Sequence, residues 1–199
     1  MTLCARTRNF SNSNIRYSSL HSSDDVRVWK TRQMLIVRPS VDEWEIAREI
    51  RLASLLNTPL AYGTTHSQAL RTSEAEWRRR IADPRSALFV VMAGDSPIAT
   101  ASGGEHELHP HARWLYGMYC DPRYRGSEVA TSLVRAVSSW VRSQGVSDFG
   151  LHVNEALPRA VSFYRRLGFL PTGASEALRR DPTQRLVEYM TNLDENDEL

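Results

Sequence analysis

Apolar residues recur at two spacings along this 199-residue chain, and the switching between them lays out its elements. Residues 35–38 are a short apolar run that reads as a first strand. Over residues 41–56, Trp44, Ala47, Ile50 and Leu55 supply the core side of a helix, which Pro59 and Gly63 break. Residues 73–82 predict a second helix, opened by the capping start Ser73-Glu74-Ala75-Glu76. Residues 87–93 and 98–103 predict a hairpin around Gly94-Asp95-Ser96-Pro97, and a polar loop follows from His106 to His111. Residues 114–120 return to strand character, with Gly117 a natural place for a bulge. Val129, Leu133, Ala136, Val137, Trp140 and Val141 then fall at helical spacing until Gly145. Strands at 149–153, 169–173 and 186–193 surround a short helix at 158–167, giving the order β-α-α-β-β-β-α-β-α-β-β.

Composition narrows the picture. The chain is 41% hydrophobic and 24% charged, which is ordinary for one globular domain with a substantial core. A net charge of +2 is too small for a nucleic-acid surface, and no apolar run approaches the ~20 residues of a membrane helix. Two cysteines, Cys4 and Cys120, make neither a disulfide framework nor a zinc cluster, so no metal and a cytoplasmic location are expected. Cys120 reads as a small buried residue at a strand end. Residues 1–33 are rich in Ser, Asn and Arg and lack periodicity. They read as a disordered extension or a start codon assigned too early, with a loose likeness to an organellar transit peptide. The domain is expected over 34–193. Residues 194–199 read as a solvated acidic tail, although Asn196-Asp197-Glu198-Leu199 has a faint likeness to an ER-retention address.

Chemistry concentrates at Tyr119-Cys-Asp-Pro-Arg-Tyr-Arg-Gly-Ser-Glu-Val-Ala-Thr131, where a strand runs through a basic turn into a helix. Free N–H groups and the dipole at a helix N-terminus attract anions, and Arg125 adds a full charge with bidentate geometry for a phosphate. A basic turn on an ordinary crossover would look similar. A second segment adds weight: Pro158-Arg-Ala-Val-Ser-Phe-Tyr-Arg-Arg-Leu-Gly-Phe169 places Ala160, Phe163, Tyr164 and Leu167 on one helix face, closed by Gly168.

The two segments, in this order, resemble the GNAT family of acetyl-CoA-dependent N-acetyltransferases over roughly residues 34–193. The family's Arg/Gln-x-x-Gly-x-Gly/Ala loop corresponds to Arg125-Gly126-Ser127-Glu128-Val129-Ala130, and its Phe-Tyr…Gly-Phe signature to Phe163-Tyr164…Gly168-Phe169. The resemblance implies an α/β (α+β) fold with a central mixed, splayed β-sheet flanked by helices. It implies acetyl-CoA as co-substrate, held by Arg125 and the N–H groups of Gly126, Ser127, Glu128, Val129, Ala130 and Thr131. Backbone groups of Met118, Tyr119 and Cys120 would pair with the pantetheine arm. Tyr164 matches the proton donor to the leaving thiolate; a phenol pKa near ~10 against ~8.5 for a thiol makes that donation mildly uphill.

Two positions depart from the family pattern. Glu128 stands where a second loop glycine is usual, and Leu157 where Asn commonly caps the following helix, with Asn154 nearby as a substitute. The base is expected among Glu105, His106, Glu107, His109 and His111, with Glu105 ahead by position. The acceptor, a small-molecule or peptide amine, is expected near residues 55–77, including Tyr62, His66 and Glu74. Family members often form homodimers. The competing expectations are a non-catalytic CoA-binding module and transfer of a longer acyl group.

Overall fold

The computed structural model describes residues 34–196 and 198–199, together with the strand pair Asn14–Ile15. The remaining expectations for the first 33 residues, including Cys4, lie outside the described residues.

Alternation along one strand sets the architecture. In β3 (Ser86–Ala93), Ala87, Phe89, Val91 and Ala93 face one core, while Leu88, Val90 and Met92 face another. Successive strand residues point to opposite faces, so both faces of the sheet are covered. On the first face lies α4 (Val129–Ser143), whose Val129, Leu133, Val134, Val137, Trp140 and Val141 are all buried. On the second face α1 (Trp44–Asn57) packs through Ile50 against Val90 and Tyr119. Helix α3 (Glu74–Ala82), capped by Ser73 as expected, lies beside α1 and buries Trp77.

Among the described residues the sheet has eight strands, of which β1 is the two-residue segment Asn14–Ile15. The others are β2 (Met34–Val37), β3, β4 (Ser96–Gly104), β5 (Arg113–Cys120), β6 (Asp148–Asn154), β7 (Leu170–Leu178) and β8 (Asp181–Asn192). Their order is β1-β2-β3-β4-β5-β6-β8-β7, and every pairing is antiparallel except β5 with β6. That single parallel ladder runs only from Arg113–Leu115 against Phe149–Leu151. Beyond it the two strands separate, giving the mixed, splayed sheet flanked by helices. Opposite the split, the β4–β5 register shifts: Ser102 pairs with Tyr116 but Thr100 with Tyr119, leaving an extra residue in β5. Gly117 sits in that bulge at φ +63°, a conformation that glycine adopts without strain.

The elements differ from the sequence reading in three places. Helix α2 (His66–Leu70), held by a Thr65–Gln68 capping box, occupies what read as connection; five residues are too short to show a period. Strands β7 and β8 extend well beyond 169–173 and 186–193. β7 is an edge strand exposed from Leu170 to Ala177, so it carries no buried face that apolar alternation could signal. Asp194, Glu195 and Glu198 are exposed, as an acidic tail would be, but the backbone around them is docked. Arg142 donates to the carbonyls of Leu193 and Leu199, Arg135 to that of Glu198, and Asn196 to Leu167 O and Thr191. Backbone carbonyls, not the acidic side chains, carry that docking, which is why composition gave no sign of it.

Candidate functional site

The turn into α4 is built by its own side chains. Asp121 Oδ1 accepts from Arg123 N at 2.9 Å and starts a single 3₁₀ turn, Pro122–Tyr124. Gly126 then adopts φ +78° with open space where a Cβ would stand. Ser127 Oγ donates to Tyr124 O at 2.6 Å and accepts from Val129 N. The first helical bond runs from Ser132 N to Glu128 O at 2.8 Å. Among the described residues, the N–H groups of Gly126, Ser127, Glu128, Ala130 and Thr131 therefore have no partner. They edge an open depression of about 300 Å³ lined by Arg123, Tyr124, Arg125, Gly126 and Ser127. A cluster of unpaired N–H groups at a helix start suits an anion. Glu128 keeps its own N–H; its side chain is exposed and makes no cap bond. Arg125 is anchored, with Nε donating to Cys120 O at 2.9 Å and Nη2 to Thr58 Oγ1 at 3.3 Å, so Nη1 is the nitrogen left over.

Next to this turn lies the split between β5 and β6. Asp121 N donates to Ile98 O, which turns residues 119 and 121 toward β4 and residues 118 and 120 toward the split. Met118 O accepts from the Tyr62 hydroxyl at 2.8 Å, and Cys120 O is taken by Arg125. The N–H groups of Met118 and Cys120 face the split beside them. The Cys120 thiol is buried, and burial pushes its pKa up to about 11, which makes it a packing residue rather than a nucleophile.

A cavity of about 480 Å³ opens between α1, α3 and the middle of the sheet. Its polar wall comprises Arg51, Tyr62, Arg80, Tyr116, His152 and Glu176. Behind His152 lies a packed cluster. Trp114 has ring centroids of His106 at 4.2 Å, His152 at 4.6 Å and His109 at 5.2 Å. Glu188, only 6% exposed, faces His109 Nε2 at 3.1 Å and accepts from Thr172 Oγ1 at 2.8 Å. His152 has Glu176 at 3.8 Å from Nδ1 and Glu188 at 3.9 Å from Nε2. Burial nevertheless holds His152 and His106 below the ordinary histidine pKa, so both are neutral near pH 7.

Several residues singled out from the sequence take other places. Glu105 is half-exposed, 3.7 Å from Arg113, with its carbonyl accepting from the Tyr116 hydroxyl; it does not line the cavity. Glu107 and His111 are exposed. Glu74 pairs with Arg78, and His66 opens α2; of the predicted acceptor residues Ala61, Tyr62, Gly63 and Trp77 reach the cavity. Asn154 is buried and committed: its amide donates to Leu60 O and Gln184, and its oxygen accepts from Ala156 N. Leu157 stands at the N-cap of α5 (Pro158–Arg166) with no side-chain bond, and Pro158 follows where a missing N–H costs nothing. Tyr164 is buried on α5 against Phe163 and Phe169; burial raises its pKa, with Tyr62 adding to the rise, and its hydroxyl has no hydrogen-bond partner among the described residues. It lines neither cavity. Arg51, His152, Glu176 and Glu188 escaped the sequence reading because they lie on four separate elements and belong to no local motif. Among the described residues no group of three or more His, Cys, Asp or Glu is arranged to hold a metal ion, and no helix is long and apolar enough to cross a membrane.

Known proteins share this architecture. The mouse protein named "Probable N-acetyltransferase family 8 member 5" is 28% identical over 110 residues, which cover 54% of this chain and 48% of that protein. The chain thus spans about half the length of such relatives. The ribosomal-protein-alanine N-acetyltransferase of Brucella melitensis superposes with a TM-score of 0.66 at 17% identity, over 80% of this chain and 99% of that one. The spermidine N-acetyltransferase of Vibrio cholerae, solved with CoA and spermine, gives 0.63 at 14% identity, over 81% and 96%. Identities this low speak for the fold alone. The sequence pattern of the Acetyltransferase (GNAT) family matches residues 50–169, more than half of the chain, and spans the α4 turn, the split and α5. The chain belongs to the GNAT acetyltransferase family.

Proposed function

We propose that the chain moves an acetyl group from acetyl-CoA directly to a primary amine. The observation that carries this reading is the set of unpaired N–H groups from Gly126 to Thr131, placed beside the β5–β6 split and a 480 Å³ cavity. The residues present fit the co-substrate. Gly126 leaves room for close approach, the helix start and Arg125 Nη1 suit a pyrophosphate, and the N–H groups of Met118 and Cys120 suit an extended amide arm. Acetyl-CoA, when bound, supplies the activated acyl carbon.

This chain's own groups would then act as follows. His152 faces the cavity as a neutral imidazole and accepts a proton from the acceptor amine. It is better placed for that role than Glu105, which lies outside the cavity lining. The amine nitrogen bonds to the acyl carbon, and the carbon–sulfur bond breaks. The Met118 N–H polarises the acyl oxygen. The resemblance to the family assigns Tyr164, which lines neither cavity, as proton donor to the departing thiolate, and the proton held by His152 restores the balance through solvent. The acceptor occupies the cavity bounded by Tyr62, Arg80 and Trp77.

The test is calorimetric titration of acetyl-CoA and CoA into the full chain, followed by CoA thiol release with a panel of amines. Micromolar binding with turnover is expected. Micromolar binding without turnover on any amine would assign a non-catalytic CoA-binding module, and turnover only with longer acyl-CoA would assign a different acyl donor. Absence of binding would overturn the reading.

A further inference from the structure

Arg51 is a charged cavity residue that the proposed chemistry leaves unused. It projects from α1 into the 480 Å³ cavity, and its guanidinium carbon lies 4.4 Å from the centroid of the Tyr62 ring. Among the described residues its side chain has no hydrogen bond and no ion pair; the Tyr62 ring is its one partner. A guanidinium held over a ring by its cationic carbon spends no N–H group on that contact, so its donors stay available to a carboxylate. The other cavity arginine, Arg80, is already committed to Glu76 at 2.7 Å. Among the described residues the one carboxylate in the cavity wall, Glu176, is close to His152, and no carboxylate is among the charges that act on Arg51. Half-buried arginines without a counter-charge are costly, and burial lowers this one's pKa. The bulge at Gly117 brings side-chain-free backbone to it: a Cβ there would stand 3.9 Å from Arg51 Nη1. The rest of the wall is largely apolar, including Ile50, Leu88, Leu115 and Leu178. Arg51 thus lacks a counter-charge of its own, and a ligand carboxylate would supply it.

We propose that the acceptor is an amine that also carries a carboxylate, an α-amino-acid-like molecule, with Arg51 holding the carboxylate and the amino group directed to His152. This rests on the acetyl-transfer reading above and names its substrate class.

The test uses the full chain and the common α-amino acids, each with its α-amide and its decarboxylated amine. CoA thiol release gives kcat/KM, and calorimetry gives binding of each compound and of CoA. At least one acid is expected to exceed its amide by about tenfold or more in kcat/KM. That ratio is expected to fall below about twofold in Arg51→Gln and to recover in part in Arg51→Lys, which keeps the charge but not the fork. CoA binding is expected to be unchanged in both variants. Equal use of acid and amide, or a preference that survives Arg51→Gln, would overturn the proposal while leaving acetyl transfer intact. If CoA fails to bind, the acetyl-transfer reading falls, and calorimetry decides the carboxylate site alone: an acid bound by the wild type but not by Arg51→Gln supports it, and no acid bound overturns it.

Discussion

At the scale of single residues, the site is decided by where charge stands. Glu128 stands at the N-cap of α4 among N–H groups that suit an anion, and its exposed carboxylate would repel a pyrophosphate bound there through solvent. Removing the charge alone, in Glu128→Gln, is expected to tighten CoA binding about threefold to fivefold at low salt, and the gain should shrink as ionic strength rises. Calorimetry at two salt concentrations checks it; equal affinity at low salt would mean that the carboxylate has no influence. His152 gives a second expectation. Burial lowers its pKa against the opposing pull of Glu176 and Glu188, while His106 and His109 add to the lowering. The base form is therefore complete above the ordinary 6.5, and kcat/KM should hold there and fall only at lower pH. His152→Gln should lower kcat about a hundredfold and remove that limb; a profile unchanged in the variant would shift the base elsewhere. Arg125 and Gly126 were legible in the sequence because one contiguous stretch carries them. Arg51 and His152 were not, since each is the one polar residue that its element, α1 or β6, adds to the cavity, and only the fold brings the two together.

At the scale of elements, two glycines hold the sheet where it must be held. Gly103 on β4 faces Trp140 of α4: a Cβ there would stand 2.5 Å from Cε3 and Cζ3 of a ring that is 9% exposed. Gly103→Ala forces the helix off the strand and is expected to cost about 1–3 kcal/mol in chemical denaturation. Adding Trp140→Leu should recover part of that loss; two independent, additive losses would sink the explanation. The other glycine, Gly117, was expected at a bulge and stands in one, because a glycine inside an otherwise apolar strand is a local signal. Most elements were legible for the same reason: β3 and α4 bury one face or both, and burial writes a period into the sequence. β7 buries only Leu178 of its nine residues, and α2 has five residues, so neither could write one. Apart from those of the Asn196 amide, the hydrogen bonds that dock the C-terminal residues are accepted by carbonyls, which every residue type possesses.

At the scale of the whole molecule, the histidine cluster couples the fold to pH. His106 follows β4, His152 lies on β6, and Glu176 and Glu188 lie on β7 and β8, so the cluster joins the middle of the sheet to its edge. His106 Nδ1 is buried without a hydrogen-bond partner, and burial lowers the pKa of both His106 and His152 from 6.5. Below that value the unfolded chain binds more protons than the folded one, so stability rises with pH through this window. The stabilisation is complete above pH 6.5 and is lost as pH falls through the folded values. Glu76 and Asp83, held down to about 2 by Arg79 and Arg80 and by Arg85, act in a separate window, below the ordinary carboxylate range near 4. Between pH 7.5 and pH 5.5 the histidines therefore dominate, and the unfolding temperature is expected to fall as the pH is lowered. Replacing both His106 and His152 by Gln should flatten that slope while leaving the loss below pH 4 in place. A slope that persists in the double variant would place the titrating groups outside the cluster, and a wild type flat across the window would mean that the two imidazoles reach protons as readily folded as unfolded.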